Sequence, residues 1–450
     1  MMRANLLLVT ICLLPGNPAQ GAPAMKAGAA KIDITPDGPI WMSGYAARNK
    51  PSEGVLTRLW AKALALEDAR GNRAVIVTTD LIGLPMELTD VVAARAMERY
   101  KLERAGLVFN SSHTHTGPVV RGNLSVMESQ QSPHREALAA YRQRLEQNLL
   151  DVIGAALADL APAELAFDYG EARFGVNRRQ FTPKGVVIGV NPDGPTDPRV
   201  PVLRVTKPAG KVRAILFGYA CHNTTLTAEF YQLSGDYAGY AQEQLEREFP
   251  GAVALFLQLC GGDQNPNPRS KLEYAEQHGR TLAAEVARVA RTKMQPAGGR
   301  LRMSYQLAAL PFAPHTRAQF EEELKDENVF RQRRAELMLK LYDERREPRQ
   351  LRYPVQAVRL ENGFTMIALG GEVVVDYALW AYRTWPRERL IVAGYSNDVP
   401  CYIPSARVLR EGGYEAVDSM IYYGQPGPFT EEVEARIHDA VRQAMKRVGR

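Results

Sequence analysis

Short apolar runs ending in polar or acidic residues alternate with stretches of helical periodicity along most of the chain, and no Pro/Ser-rich linker separates them. Such a chain buries its strands by laying helices against sheets, which predicts one large α/β domain. Its 450 residues would suffice for one large or two medium domains, so the missing linker decides. Lys31-Ile32-Asp33-Ile34-Thr35 alternates as a strand does, and Leu59–Glu67, Ala74–Asp80 and Gly106–Ser111 read as strands buried in a sheet. Further strands are expected over 200–205, 211–219, 252–258, 353–360, 364–369 and 390–393. Helices are expected over 87–100, 135–160, 236–248, 272–293 and 374–385. The most charged segment, 318–349, holds Glu321-Glu322-Glu323 and Arg331-Gln332-Arg333-Arg334 among periodic Leu and Phe, which predicts a solvent-facing helix.

Met1-Met2-Arg3, the apolar run Ala4–Leu14 and the break at Pro15-Gly16 have the layout of a secretory signal peptide. Ala19, Gly21, Ala22 and Ala24 suit cleavage between Gly21 and Met25, so the leader is expected over 1–24 and the mature domain over 25–450, secreted or periplasmic. Ile11 before Cys12 argues against a lipoprotein signal, and the run is too short to span a bilayer. The 56 basic and 50 acidic side chains are interspersed, with no basic tract interleaved with aromatics, so the net charge of +6 does not point to nucleic acid. Removal of the leader takes Cys12 and leaves Cys221, Cys260 and Cys401. Their odd number and spacing fit neither a disulfide framework nor a zinc finger; three small buried side chains are expected, with one disulfide plus a free thiol as the alternative.

The sharpest local signal is Ser112-His113-Thr114-His115-Thr116-Gly117-Pro118, following an expected strand in a chain with only seven histidines. If the backbone stays extended there, His113 and His115 project to one face, where imidazoles can bind zinc or shuttle protons. His222 follows another apolar run, and Gly261-Gly262-Asp263-Gln264-Asn265-Pro266 makes a turn after the strand at 252–258. Glu372, after Gly370-Gly371, is equally a metal ligand or an ordinary helix-start carboxylate. All sit at strand ends, which in an open α/β sheet converge on one crevice.

The ordered set KIDITP (31–36), MSGYAAR (42–48), TTDLIGLP (78–85), SSHTHTGP (111–118), GVNRR (175–179), LSGDYAGYAQ (233–242), GGDQNPN (261–267), GGE (370–372) and GYSNDVPCY (394–402) resembles the neutral/alkaline, non-lysosomal ceramidases. The resemblance implies that family's amino-terminal catalytic domain, a single unit of mixed sheets flanked by helices, with one zinc ion per chain. It implies zinc ligation by His113, His222, Glu372 and Tyr402, proton transfer by His115, and contact with the reacting group by Arg178 and, in Gly412-Gly413-Tyr414, by Tyr414. Where the family turn carries a serine, this chain has Asn265, which has no hydroxyl to activate but can donate a hydrogen bond to an oxyanion. The family's carboxy-terminal β-sandwich has no counterpart before Arg450, which weakens the expectation of ceramide at a membrane surface.

These residues predict hydrolysis of an N-acyl amide by metal-activated water, since such ligands lower the pKa of bound water to about 7. The three cysteines are expected at the floor of the site, with a thiolate metal site as a minor alternative. Rival readings are an esterase or deacetylase on a non-lipid acyl substrate such as an N-acyl sugar, and a binding protein that kept the scaffold without turnover. The oligomeric state is not legible.

Overall fold

The computed structural model describes residues 25–124, 126–127 and 134–450, so the leader expected over 1–24 lies outside the described residues. Fourteen strands are labelled here in chain order: β1 (Lys26–Asp33), β2 (Trp60–Glu67), β3 (Arg73–Thr79), β4 (Leu107–Ser111), β5 (Glu164–Glu171), β6 (Gly175–Thr182) and β7 (Gly185–Asn191), then β8 (Arg199–Thr206), β9 (Val212–Tyr219), β10 (Val253–Gln258), β11 (Leu301–Pro311), β12 (Gln350–Leu360), β13 (Thr365–Leu369) and β14 (Leu390–Ala393). The main helices are α1 (Met86–Tyr100), α2 (Arg135–Ala158), α3 (Asp236–Glu248), α4 (Leu272–Arg291), α5 (Arg317–Glu323), α6 (Val329–Asp343), α7 (Asp376–Thr384) and α8 (Glu432–Arg447).

The strands form three principal sheets, not the one open sheet assumed above. Their orders are β4-β3-β2-β1, β10-β9-β8-β5 and β11-β12-β13-β14. Within each, one pair is parallel (β3/β4, β9/β10 and β13/β14) and the other pairs are antiparallel. The period-two pattern of each strand assigns its two faces. Leu64, Leu66 and Ile76 from the first sheet, Leu203, Leu216 and Leu255 from the second, and Met366 and Ile391 from the third share one central core. The alternate residues face helices: Val75 and Val77 pack with α1 and α2, Ile215 and Phe256 with α3 and α4, and Ile367 and Val392 with α7 and α8. Small residues let the helices come close; a Cβ on Gly28 of β1 would lie 2.2 Å from the Ala156 carbonyl oxygen of α2.

The edge strands β4, β10 and β14 meet at the centre of the molecule. Backbone bridges join Asn110 to Ser396 and Leu259 to Ala393. Asn110 fastens the junction: its Nδ2 donates to the Gln258 carbonyl (3.2 Å), the Gly394 carbonyl (2.8 Å) and Ser396 Oγ (3.1 Å), while its Oδ1 accepts from Gln258 N (2.9 Å).

The charged segment is two helices, not the single one expected over 318–349. Asn328 ends the run because its Oδ1 accepts from Phe330 N at 2.9 Å and caps a new helix there. The resulting α5–α6 hairpin buries Phe320, Ala335 and Met338, so only its outer side faces solvent. Among the described residues no helix is long and apolar enough to cross a membrane. Cys221, Cys260 and Cys401 are free and buried, as expected.

Candidate functional site

Five strands end around one pocket: β4 leads to His113, β9 to His222, β10 to Asp263 and Asn265, β13 to Glu372, and β14 to Tyr395. The backbone of the histidine pair is not extended, contrary to the expectation above. His113 takes a left-handed φ of 64°, and its N–H donates to the Leu81 carbonyl at 2.9 Å. The pair meets through this turn instead, with Nε2 of His115 3.1 Å from Nε2 of His113. A left-handed non-glycine residue is costly enough to need a surrounding reason, and here the turn aims an imidazole into the pocket. Room for the second ring comes from Gly44 (φ 96°), where a Cβ would lie 2.5 Å from the His115 ring. Arg48 holds the same loop by donating to the carbonyls of Ser43 (2.5 Å) and His115 (2.6 Å).

The buried side chains of His113, His222 and Glu372 share one point. His113 Nδ1 donates to the Ile82 carbonyl at 2.6 Å and His222 Nδ1 to the Gly261 carbonyl at 2.8 Å. In neutral rings those bonds use the only proton each imidazole has, so both Nε2 atoms present lone pairs. Both lie 2.9 Å from Oε2 of Glu372. Two lone pairs and a carboxylate oxygen cannot satisfy one another, and the donor set calls for a cation between them. His113, His115 and His222 also form a group whose ligand atoms lie within 4.8 Å of one another, and no cysteine joins a metal-competent group among the described residues. His115 differs from the other two: its Nδ1 is buried without a partner. Metal-bound histidines nearly always anchor their second nitrogen, so His113 and His222 fit ligation better than His115 does.

The remaining expected residues line the same pocket. Tyr402 lies with its hydroxyl 3.1 Å from His222 Nε2 and accepts from Arg178 Nη2 at 3.0 Å. Arg178 Nε donates to Glu415 Oε1 at 2.7 Å, and Nη1 lies 3.1 Å from His222 Nε2 and 3.3 Å from Asn265 Oδ1. Asn265 Oδ1 also accepts from Thr224 Oγ1 at 3.3 Å, which fixes its amide with the oxygen toward the arginine and turns Nδ2 the other way. Tyr414 opens a π-helical turn, Tyr414–Asp418, and its ring stands 5.5 Å from that of Tyr402.

Burial, with Arg178 beside it, pushes His222 down to about 4. Burial, with His113 and His222 beside it, holds His115 well below the usual histidine range. Burial works to raise Glu372, but His113 and His222 outweigh it and hold the carboxylate low. Burial raises Tyr402 well above the usual phenol range. The site therefore presents neutral imidazoles, an ionised carboxylate and a neutral phenol near pH 7.

Sequence reasoning missed Tyr423, whose hydroxyl donates to Glu372 Oε1, and Tyr395, whose hydroxyl lies 3.4 Å from Oε2. Tyr395 stands inside the quoted GYSNDVPCY segment, whereas nothing in the Ile421-Tyr422-Tyr423 run distinguishes a positioning phenol from a core aromatic. It also missed Glu415, the carboxylate that receives both Arg178 and Arg179.

Residues 25–300 match the family described as neutral/alkaline non-lysosomal ceramidase, N-terminal. That stretch contains His113, Arg178, His222 and Asn265 but not Glu372, Tyr402 or Tyr414. The neutral ceramidase of Pseudomonas aeruginosa is 28% identical over 277 residues, 58% of this chain and 40% of that protein. The neutral ceramidase of Mycobacterium tuberculosis is 26% identical over 272 residues, 54% of this chain and 40% of that protein. The matched part thus spans less than half the length of these curated relatives. The crystal structure of the Pseudomonas aeruginosa neutral ceramidase shares the fold at a TM-score of 0.71 and 19% identity, covering 94% of this chain and 74% of that one. A ceramidase complexed with C2 gives 0.70 over 94% of this chain and 75% of that one.

Proposed function

Because the chain belongs to the neutral/alkaline non-lysosomal ceramidase family, we propose that it is a zinc-dependent hydrolase of N-acyl amide bonds. The observation that carries this reading is the pair of Nε2 lone pairs meeting one carboxylate oxygen, each at 2.9 Å. His113, His222 and Glu372, with Tyr402 beside them, would hold the ion. Zinc bound there supplies Lewis acidity and lowers the pKa of a water to about 7.

His115 is the proton carrier in this reading. Its neutral ring accepts a proton from the attacking water and returns it to the departing amine. Its free Nδ1 leaves the ring able to change tautomer, which an anchored ligand cannot do. Arg178, held by Glu415, and the outward Nδ2 of Asn265 donate toward the oxygen that becomes negative in the tetrahedral intermediate. Fixed donors of this kind need no reorganisation as charge develops. Tyr414 flanks the reacting group from the π-helical turn. The substrate class is an N-acyl lipid, as the relatives' name suggests, and the leader layout of residues 1–24 supports a secreted protein.

Metal analysis of the purified protein, with a screen of N-acyl lipids and N-acyl sugars, tests the reading. His113→Ala is expected to lose zinc and turnover together; loss of zinc with turnover unchanged would overturn it. His115→Ala is expected to keep zinc and lose about 10²–10⁴-fold in kcat. Full activity in that variant would remove its proton-transfer role. Zinc binding without hydrolysis of any acyl compound would favour the binding-protein reading.

A further inference from the structure

The β6–β7 hairpin departs from the pattern of the rest of the surface. Of the eleven most exposed large apolar side chains among the described residues, four belong to it: Phe181 (60% exposed), Val187 (44%), Ile188 (48%) and Val190 (48%). The register pairs Phe181 with Val186 and Arg179 with Ile188. Phe181, Val186, Ile188 and Val190 therefore share one face with Arg179, whose guanidinium binds Glu415 and the Gly412 carbonyl (2.9 Å) on the turn that carries Tyr414. An ideal Cβ on Gly413 would lie 2.8 Å from the Val186 carbonyl oxygen, so the hairpin packs directly on that turn. Val417, on the same turn, is also exposed. The apolar stripe thus continues from the rim of the pocket out to the hairpin tip.

Charge sets this stripe apart as well. Residues 180–191 contain one cation, Lys184 at the turn, and no Asp or Glu. On a chain of net charge +6, an apolar finger tipped by a lysine matches an anionic lipid surface: side chains enter the acyl region while the ammonium stays at the headgroups. The exposed apolar side chains lie on both faces of the finger, Val187 opposite the Phe181 stripe, which suits immersion more than the docking of one flat face on a protein.

We propose that the β6–β7 hairpin is a lipid-surface contact that seats the protein on a bilayer containing anionic lipid, with the pocket at the interface where an N-acyl lipid resides. This rests on the amidase reading for its purpose but not for its measurement. The test is sedimentation of the purified protein with phosphatidylcholine vesicles, with and without phosphatidylglycerol. The wild type is expected to partition onto both, more strongly onto the anionic ones. Phe181→Ser with Ile188→Ser is expected to lose about tenfold or more in vesicle affinity. Lys184→Glu is expected to weaken binding to the anionic vesicles selectively. Both substitutions lie at exposed positions, and an unchanged circular dichroism spectrum and urea midpoint would exclude misfolding. Turnover of a short water-soluble N-acyl substrate is expected to stay unchanged in the double variant while turnover of a vesicle-embedded N-acyl lipid falls about tenfold. Equal vesicle binding by wild type and double variant would overturn the proposal. So would a dimer in light scattering that the double variant dissociates, because the stripe would then belong to a second copy. Hairpin-dependent vesicle binding without any N-acyl hydrolysis would uphold the contact and sink the amidase; hydrolysis without vesicle binding would do the reverse.

Discussion

Two tyrosines outside the expected ligand set bear on the carboxylate at the centre of the pocket. Tyr423 donates to Glu372 Oε1, leaving Oε2 to face both histidines. A hydrogen bond to the outer oxygen orients a ligating carboxylate, and loss of such support typically costs 10–100-fold in metal affinity. Tyr423→Phe is therefore expected to weaken zinc binding by about that factor in a chelator competition, with the urea midpoint little changed; unchanged affinity would leave Tyr423 as a core aromatic only. Histidines are scarce enough in this chain to be noticed, and those after strands were legible as candidates. Glu372 was not distinguishable from a helix-start acid, because what sets it apart is contact with residues 150 and more positions away. Tyr423 was invisible for the same reason.

At the level of elements, a register shift in β6 between Asn177 and Arg179 lets two consecutive residues reach one partner. Side chains one apart in a regular strand point to opposite faces, and the irregularity allows Arg178 and Arg179 both to bind Glu415. Glu415→Gln leaves two buried guanidiniums short of a charge, and breaking a buried pair in this way costs about 3–5 kcal/mol. A lower urea midpoint is expected, with kcat reduced because Arg178 loses its anchor; a loss of kcat without a loss of stability would contradict the clamp. Helix α1 carries a second test. Asp398 Oδ1 accepts from Met86 N at 2.9 Å, and burial pushes that carboxyl up to about 7. An acid raised above its unfolded value of about 3.9 binds its proton more tightly in the native state, so its contribution to stability is largest below pH 4 and is lost as pH rises to about 7. Asp398→Asn keeps the acceptor and removes the charge. The fall in urea midpoint between pH 4 and 7 is expected to be shallower in that variant, and parallel profiles would refute the assignment. The strong apolar strands were legible from their runs. Strands β6 and β7 were not, since their alternation places apolar residues in solvent, and β11 was missed because its face is only partly covered. Helix α8 shows the opposite fault: Val433, Ile437, Val441 and Met445 mark its buried stripe plainly, and the expectations above left that signal unused.

In the molecule as a whole, three sheets meet along β4, β10 and β14, and Asn110 bonds to both of its neighbours across the junction. Asn110→Leu leaves several buried backbone groups without a partner, each costing about 1–3 kcal/mol. A loss of roughly 3 kcal/mol is expected in urea unfolding, together with weaker zinc retention, because His113 lies three residues away; a loss below about 1 kcal/mol would mean that the junction holds without it. One α/β unit was legible from the alternation of elements, but the division into three sheets was not, since strand pairing between distant segments leaves no mark in local periodicity. The same division sets an order on competence during synthesis. A ribosome that has released the first three hundred residues has delivered both imidazoles, the guanidinium and the amide, yet the acid and the phenols arrive only with the third sheet. A stalled or clipped product is inert on this account, and the last sheet to dock is the key that turns the lock.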